Sequence, residues 1–291
     1  MGRGRPRLGW DARAGELDLA GPGGGVRRQT EPERREETLY GVHPVMQALE
    51  ARRRSVERVL VARESAHGNV ARALKLARQA GVPVSYVPKA VLQRRVGRNA
   101  GAQGIAAIVS PVAYADVDEV VRAAQARPDG LILLLDRVTD GGNLGAVLRS
   151  AAAAGVDGVI LAADGTAGLS AAAAKTAAGA MEKVRVAREA KLPRLIRRLN
   201  ESGFETVVLD PRAEVGWDRG AYRGPVALVG GGEERGVRPG VLKECSGKVA
   251  IPLAAGVESL NVAVAVGVML FEVIRQRRES PDALERKGAR C

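Results

Sequence analysis

Aromatic residues are nearly missing from the 291-residue chain: Phe, Trp and Tyr together make up 3% of it. Too few rings remain for a platform on which bases stack, so any nucleic acid would be recognised by shape and phosphate contacts. Cysteine is limited to Cys245 and Cys291, which excludes a disulfide framework and a cysteine-based zinc site. Histidine is limited to His43 and His67, which argues against a histidine-rich metal site. Long apolar runs are lacking: residues 262–271 form one of the longest, whereas a spanning helix needs about 18 residues. Arg3, Arg5 and Arg7 precede no apolar segment, and Asp11, Glu16 and Asp18 spoil a transit peptide. The expected setting is the cytoplasm, with no metal and no membrane anchor.

What is present is material for a core and an excess of positive charge. Hydrophobic residues make up 46% and charged residues 27%, enough to build one or two globular domains. Basic side chains number 45 against 33 acidic ones, a net charge of +12. A polyanionic partner is favoured, nucleic acid before an anionic membrane surface. The excess is not evenly spread. Residues 1–38 carry eight basic and seven acidic side chains, residues 39–110 twelve and three, and residues 111–291 twenty-five and twenty-three. The middle segment, with Arg52, Arg53, Arg54, Arg58, Arg72, Lys75, Arg78, Arg94, Arg95 and Arg98, is therefore the expected polyanion binder. The plainer alternative is a solvated basic face without a partner.

Residues 1–38 mix Gly21, Gly23, Gly24 and Gly25 with scattered Arg and Glu and show no period, as expected of a disordered extension. Residues 39–110 alternate helical and strand patterns: helices over 44–53, 69–80 and up to about 95, strands over 58–62, 84–87 and 105–109. This reads as a small basic α/β domain. Residues 111–128 read as a linker holding a short helix. From 129 the alternation resumes, opening on the apolar run Leu131-Ile132-Leu133-Leu134-Leu135-Asp136, as a parallel strand buried on both faces produces. Helices are expected over 143–154, 170–177, 191–202 and from 259 to about 277. Strands are expected over 158–161, 184–187, 205–209, 226–229 and 249–251. A mostly parallel sheet covered on both faces follows, over 129–280, with a flexible tail at 281–291.

Two glycine clusters follow strands of that sheet: Asp140-Gly141-Gly142-Asn143-Leu144-Gly145 and Gly230-Gly231-Gly232-Glu233-Glu234-Arg235-Gly236. Neither has the spacing of a nucleoside triphosphate loop or of the dinucleotide fingerprint. Tight turns after strands are the commoner reason for such clusters, but the carboxyl ends of parallel strands are also where α/β ligand sites gather.

Three stretches in order, Asn143-Leu144-Gly145-Ala146-Val147-Leu148-Arg149-Ser150-Ala151, then residues 229–236, then Ile251-Pro252-Leu253 through Glu258-Ser259-Leu260-Asn261-Val262-Ala263-Val264-Ala265, resemble the three motifs of the SpoU-type branch of the SPOUT class of RNA 2′-O-ribose methyltransferases. The resemblance covers roughly residues 131–278. The basic segment before it, with Leu39-Tyr40-Gly41 at its start and Gln103-Gly104-Ile105-Ala106-Ala107 at its end, is similar to a small substrate-binding domain that some members carry. Among subfamilies the layout is most similar to the bacterial 23S ribosomal RNA guanosine 2′-O-methyltransferases. The resemblance implies a C-terminal trefoil-knotted domain, S-adenosylmethionine as cofactor with Gly231, Ile251 and Leu260 lining its adenosine pocket, and a homodimer with each active site completed across the interface. Knots are otherwise essentially absent from proteins, and nothing in composition suggests one.

The catalytic residues implied are Arg149, Asn143, Glu233, Ser259 and Asn261. A guanidinium is a poor proton acceptor, so Arg149 suits stabilisation of a developing alkoxide or a hold on the adjacent phosphate. Asn143 could equally cap the first helix, Ser259 and Asn261 the last one, and Glu233 could fix a helix end or the arginine. Gly230 and Glu234 depart from the second motif, where a larger apolar residue and a glycine are usual, and Ala102 stands where histidine is common. Methylation of ribosomal RNA is the favoured activity because of the separate basic domain. Transfer RNA methylation and a non-catalytic RNA-binding or ribosome-assembly role are the alternatives.

Overall fold

The structure, a computed structural model, describes residues 36–66, 68–97 and 102–279. The expected extension up to residue 35, Arg98 and the expected tail lie outside the described residues.

The N-terminal lobe runs β1 (Glu37–Tyr40), α1 (Val42–Ala51), β2 (Val56–Ala62), α2 (Asn69–Gln79), β3 (Val84–Val87), α3 (Lys89–Val96) and β4 (Ile105–Val109). Its sheet has the order β1-β4-β2-β3, with β2 and β3 parallel and β4 antiparallel to β1 and β2. β1 was not expected; it starts inside the segment read as disordered, and its four residues are too few to show a period. The two sequence motifs that open and close this lobe form one joint. Gly41, at φ 97, starts α1, whose first N–H, on Val42, donates to Gln103 Oε1 at 3.0 Å. Gly104 accepts from the Ala62 N–H, and Gly41 donates to Ile105. α2 buries Val70, Ala73, Leu74 and Ala77 at helical spacing, which leaves Arg72, Lys75 and Arg78 exposed on its other face.

The second lobe runs α4 (Val117–Gln125), β5 (Leu131–Asp136), α5 (Gly141–Ala154), β6 (Gly158–Ala162), α6 (Ala171–Ala177), β7 (Val186–Glu189), α7 (Leu192–Glu201), β8 (Glu205–Leu209), β9 (Val226–Gly231), α8 (Pro239–Glu244), β10 (Gly247–Val249) and α9 (Val262–Arg278). All six strands are parallel, in the order β10-β8-β9-β5-β6-β7. Alternate residues of each strand face opposite sides. Leu133, Leu135, Val159 and Leu228 pack with Leu148, Val266, Met269 and Val273, while Ile132, Leu134, Ile160 and Ala227 pack with Val120, Leu195, Ile196 and Val241. Burial on both faces is why these strands read as unbroken apolar runs. The segment read as a linker carries α4, which buries Val120, Val121 and Ala124 against this sheet, and Ala115 bridges to β7.

Several boundaries move for local reasons. α5 begins two residues earlier than expected, because Asp140 caps it by accepting from the Asn143 N–H at 2.7 Å. β10 ends at Val249 instead of Ile251, because Ala250 turns to bond Val215 and Trp217. β7 starts at Val186, since the Val184 carbonyl accepts from the Arg53 side chain at 2.8 Å. α9 starts at Val262, with Asn261 as its cap, so Ser259 lies outside the helix it was expected to open. The short α8 was not expected.

The lobes meet through a buried charge. The Arg54 side chain, 1% exposed, pairs at 2.7 Å with Glu182, 2% exposed, on the short helical turn Ala180–Glu182. Within the second lobe, α5 crosses α6 at Gly145, where an added Cβ would stand 2.4 Å from the Ala173 carbonyl and 2.8 Å from Thr176 Cβ. Gly145→Ala is expected to cost about 1–3 kcal/mol of stability through overpacking, read as a lower denaturant midpoint with an unchanged slope. An unchanged midpoint would show that α6 gives way freely.

Candidate active site

The site forms where the sheet changes direction, beyond the carboxyl ends of β5 and β9. β5 ends in Asp136, fully buried. Its Oδ2 accepts from the Arg238 N–H at 2.8 Å, and its Oδ1 lies 3.1 Å from Arg238 Nε. Arg238 also reaches the Asp164 carbonyl, so one guanidinium ties the ends of β5 and β6 to the loop after β9. That loop approaches the backbone too closely for side chains. A Cβ on Gly232 would fall 1.9 Å from the Arg137 carbonyl, and one on Gly231 2.5 Å from the Val237 nitrogen.

On this frame three polar side chains from three separate motifs meet. Asn143 Nδ2 donates to Glu233 Oε1 at 3.0 Å, and Asn143 Oδ1 accepts from Asn261 Nδ2 at 2.9 Å. Asn261 Nδ2 also donates to Glu233 Oε1, and the Val262 N–H lies 3.3 Å from the same oxygen. Asn261 Oδ1 accepts from the Ala263 N–H at 3.0 Å and so caps α9. Glu233 thus sits at the N-terminus of α9, where the helix dipole favours its negative charge. Asn143 does not cap α5; its own side chain is committed to this triangle. A cleft of about 370 Å³ opens beside it, lined by Arg137, Asp140, Asn143, Glu233, Arg235 and Val262 among others.

The structure therefore brings Asn143, Glu233 and Asn261 together. Arg149 is not with them. It is exposed on α5, and its side chain bonds no described residue. Six residues place it about 9 Å along the helix from Asn143 and roughly a third of a turn out of line. Ser259 is exposed in the loop before α9 and makes no side-chain bond to a described residue. Sequence reading missed Arg137, Arg235 and the Asp136–Arg238 tie, because only the folded loops bring these charges to one cleft.

Of the residues expected around adenosine, Gly231 closes β9, Ile251 follows β10, and Leu260 precedes the cap of α9. The main-chain groups of Ile251, Leu253 and Leu260 bond no other described residue. Free amide donors and acceptors flanked by aliphatic side chains fit the edge and faces of an adenine. Among the described residues no group of His, Cys, Asp and Glu is arranged to hold a metal, and no helix is long and apolar enough to cross a membrane.

Comparison with known structures agrees with this fold. An AdoMet-bound rRNA methyltransferase from Sinorhizobium meliloti superposes with a TM-score of 0.68 at 26% identity, over 83% of this chain and 87% of that one. An RNA 2′-O ribose methyltransferase superposes with a TM-score of 0.71 at 27% identity, over 84% and 90%. Fold and site define an S-adenosylmethionine-dependent RNA methyltransferase of the SPOUT class. The profile of the SpoU rRNA Methylase family matches residues 130–271, and that of the RNA 2′-O ribose methyltransferase substrate-binding domain matches residues 38–115. The 23S rRNA (guanosine-2′-O-)-methyltransferase RlmB of Xanthomonas campestris is 38% identical over 82% of this chain and 96% of its own length. An uncharacterized tRNA/rRNA methyltransferase of Mycobacterium avium is 34% identical over 87% and 81%. The chain belongs to the SpoU rRNA Methylase family.

Proposed function

We propose that the protein methylates the 2′-hydroxyl of a ribose, that of a guanosine, in large-subunit ribosomal RNA. The observation that carries this reading is the triangle of Asn143, Glu233 and Asn261, which joins the three motif loops beside an open cleft. The RlmB relative from Xanthomonas campestris supports ribosomal RNA and guanosine. The exposed Arg72, Lys75 and Arg78 of α2 supply a surface for its phosphates.

S-adenosylmethionine supplies an electrophilic methyl group when bound, and Gly231, Ile251 and Leu260 are the residues that would line its adenosine. The protein's task is to align the ribose oxygen with that methyl group and to stabilise the charge that develops on it. Glu233 holds both asparagine side chains, so Asn143 and Asn261 meet the ribose in a fixed orientation. Ser259 stands in the loop beside them as a further hydroxyl for the ribose. Arg149 is not among the residues that line the cleft of its own chain, so its role in stabilising the alkoxide, or in holding the neighbouring phosphate, is exercised from a second copy. A homodimer is part of the proposal, and α9 presents exposed Val264 and Phe271 as apolar surface for it. The same reading takes the loops at 230–238 and 250–261 as the knotted segments and the cytoplasm as the place of action.

Mass-spectrometric mapping of 2′-O-methyl groups, after incubation with S-adenosylmethionine and separate pools of unmodified ribosomal and transfer RNA, tests the proposal. One new methylated ribose in large-subunit RNA is the expected result. Methylated transfer RNA alone would make transfer RNA the substrate. No methylation with no cofactor binding would leave a non-catalytic RNA-binding protein.

A further inference from the structure

Four described residues other than glycine have a left-handed backbone: Arg52, Gln103, Arg137 and Ala178. Arg52 and Ala178 close helices α1 and α6, and Gln103 turns the chain beside Gly104, so three of the four serve ordinary turns. Arg137, at φ 62, ends no helix. It follows the last residue of the buried strand β5 and is held in place by three fixed contacts. Its N–H donates to Thr166 Oγ1 at 3.0 Å. Its carbonyl faces Gly232, where no Cβ fits. The residue before it is locked by Arg238. This backbone shape suits glycine, and a β-carbon makes it costly. Strain of this kind gathers at functional sites.

The side chain that the strained backbone carries lines the active-site cleft, as does Arg235 from the loop after β9. Neither guanidinium makes a hydrogen bond or an ion pair with another described residue. The remaining cations near the cleft are differently placed: Arg238 is committed to Asp136 and the Asp164 carbonyl, and Arg149 lies elsewhere on α5. Glu233, Glu234 and Asp140 also line the cleft; Glu233 is held by Asn143 and Asn261, and Asp140 caps α5. Two free planar guanidiniums on opposite loops, beside a site for a ribose, match the fork geometry that binds a phosphodiester.

We propose that Arg137 and Arg235 form a clamp on a phosphate flanking the ribose to be methylated, so that they position the substrate and fix its register in the cleft. The inference rests on the proposed RNA 2′-O-methylation. The clamp is distinct from the basic face of α2, none of whose residues lines the cleft.

Arg137→Gly and Arg235→Ala test it. Glycine accepts the left-handed backbone, so Arg137→Gly removes the guanidinium while leaving the fold intact, and Arg137→Lys keeps the charge but not the fork. Each loss is expected to raise KM for RNA about tenfold, the worth of one charge-assisted contact. Each should lower the slope of binding against salt concentration by about one phosphate. Affinity for S-adenosylmethionine should stay as in the wild type, and the thermal midpoint should not fall, since glycine relieves the left-handed backbone at 137. RNA carrying a neutral methylphosphonate beside the methylated ribose should lose affinity for the wild type, and lose little further for the double variant. Variants with wild-type KM and wild-type salt dependence, made from an enzyme that does methylate RNA, would overturn the clamp alone. A wild-type protein that methylates no RNA would overturn the proposed function and the clamp with it.

Discussion

Arg149→Ala is expected to lose methyl transfer by roughly two to three orders of magnitude, the effect of removing one charge-stabilising donor from an active site, while the affinity for S-adenosylmethionine stays unchanged. The expectation follows from position. The Arg149 side chain bonds no described residue, stands exposed on α5 and is buried in no core, so its removal leaves the fold and the cofactor loops intact. Because it lies out of line with Asn143, its contribution is expected to come from the partner copy. Mixing Arg149→Ala protein with Glu233→Ala protein, each inactive alone, should therefore restore part of the activity, since a mixed dimer contains one site with both groups. Glu233→Ala leaves the Asn143 and Asn261 amides without their shared acceptor, which is why it serves as the other inactive parent. Activity of Arg149→Ala near the wild-type rate would remove the arginine from the mechanism. Loss of activity without recovery on mixing would place it in the site of its own chain.

Arg54→Ala is expected to cost about 3–5 kcal/mol of stability, because it leaves the Glu182 carboxylate buried without its counter-charge. The pair is incompletely bonded: Arg54 Nε and Glu182 Oε2 have no hydrogen-bond partner. The attraction between the two charges therefore does little more than offset the cost of taking them out of water. Replacing both with apolar residues of similar size, Arg54→Met with Glu182→Leu, should return the stability to near the wild-type value or above it. Chemical denaturation of the three variants checks this. A loss below 1 kcal/mol for Arg54→Ala would mean that water reaches the pair. The result bears on function because the same pair joins the basic lobe to the methyltransferase lobe, and the distance between remote RNA contacts and the cleft depends on that junction.

The central strands were legible from the sequence because burial on both faces leaves an apolar run with no polar interruption, as in Leu131–Asp136. α2 was legible through its helical spacing of apolar residues. The short elements were not. β1 has four residues, β10 three and α8 six, lengths at which no period develops and pairing with a neighbour decides the outcome. The limits of β10 show this directly: Ile251 is as suited to a strand as Val249, but Ala250 finds its partners in Val215 and Trp217.

The site divides in the same way. Its residue types and their order along the chain were readable, since Asn143, Glu233 and Asn261 each stand in a motif of recognisable spacing. Their meeting was not, because they are separated by 90, 28 and 118 positions and only a sheet with β9 inserted beside β5 brings them together. The capping role open to Asn143 in the sequence was taken by Asp140, three residues away, and that substitution freed Asn143 for the cleft. Arg137 carried no sequence signal at all. By itself the sequence determined the fold class, the basic lobe and the chemistry available, because burial periodicity, charge and side-chain type are local properties. The tertiary structure alone decided which charges share a cleft, which of them are already neutralised and which remain free for a substrate, because loop packing and ion pairing depend on residues far apart in the chain.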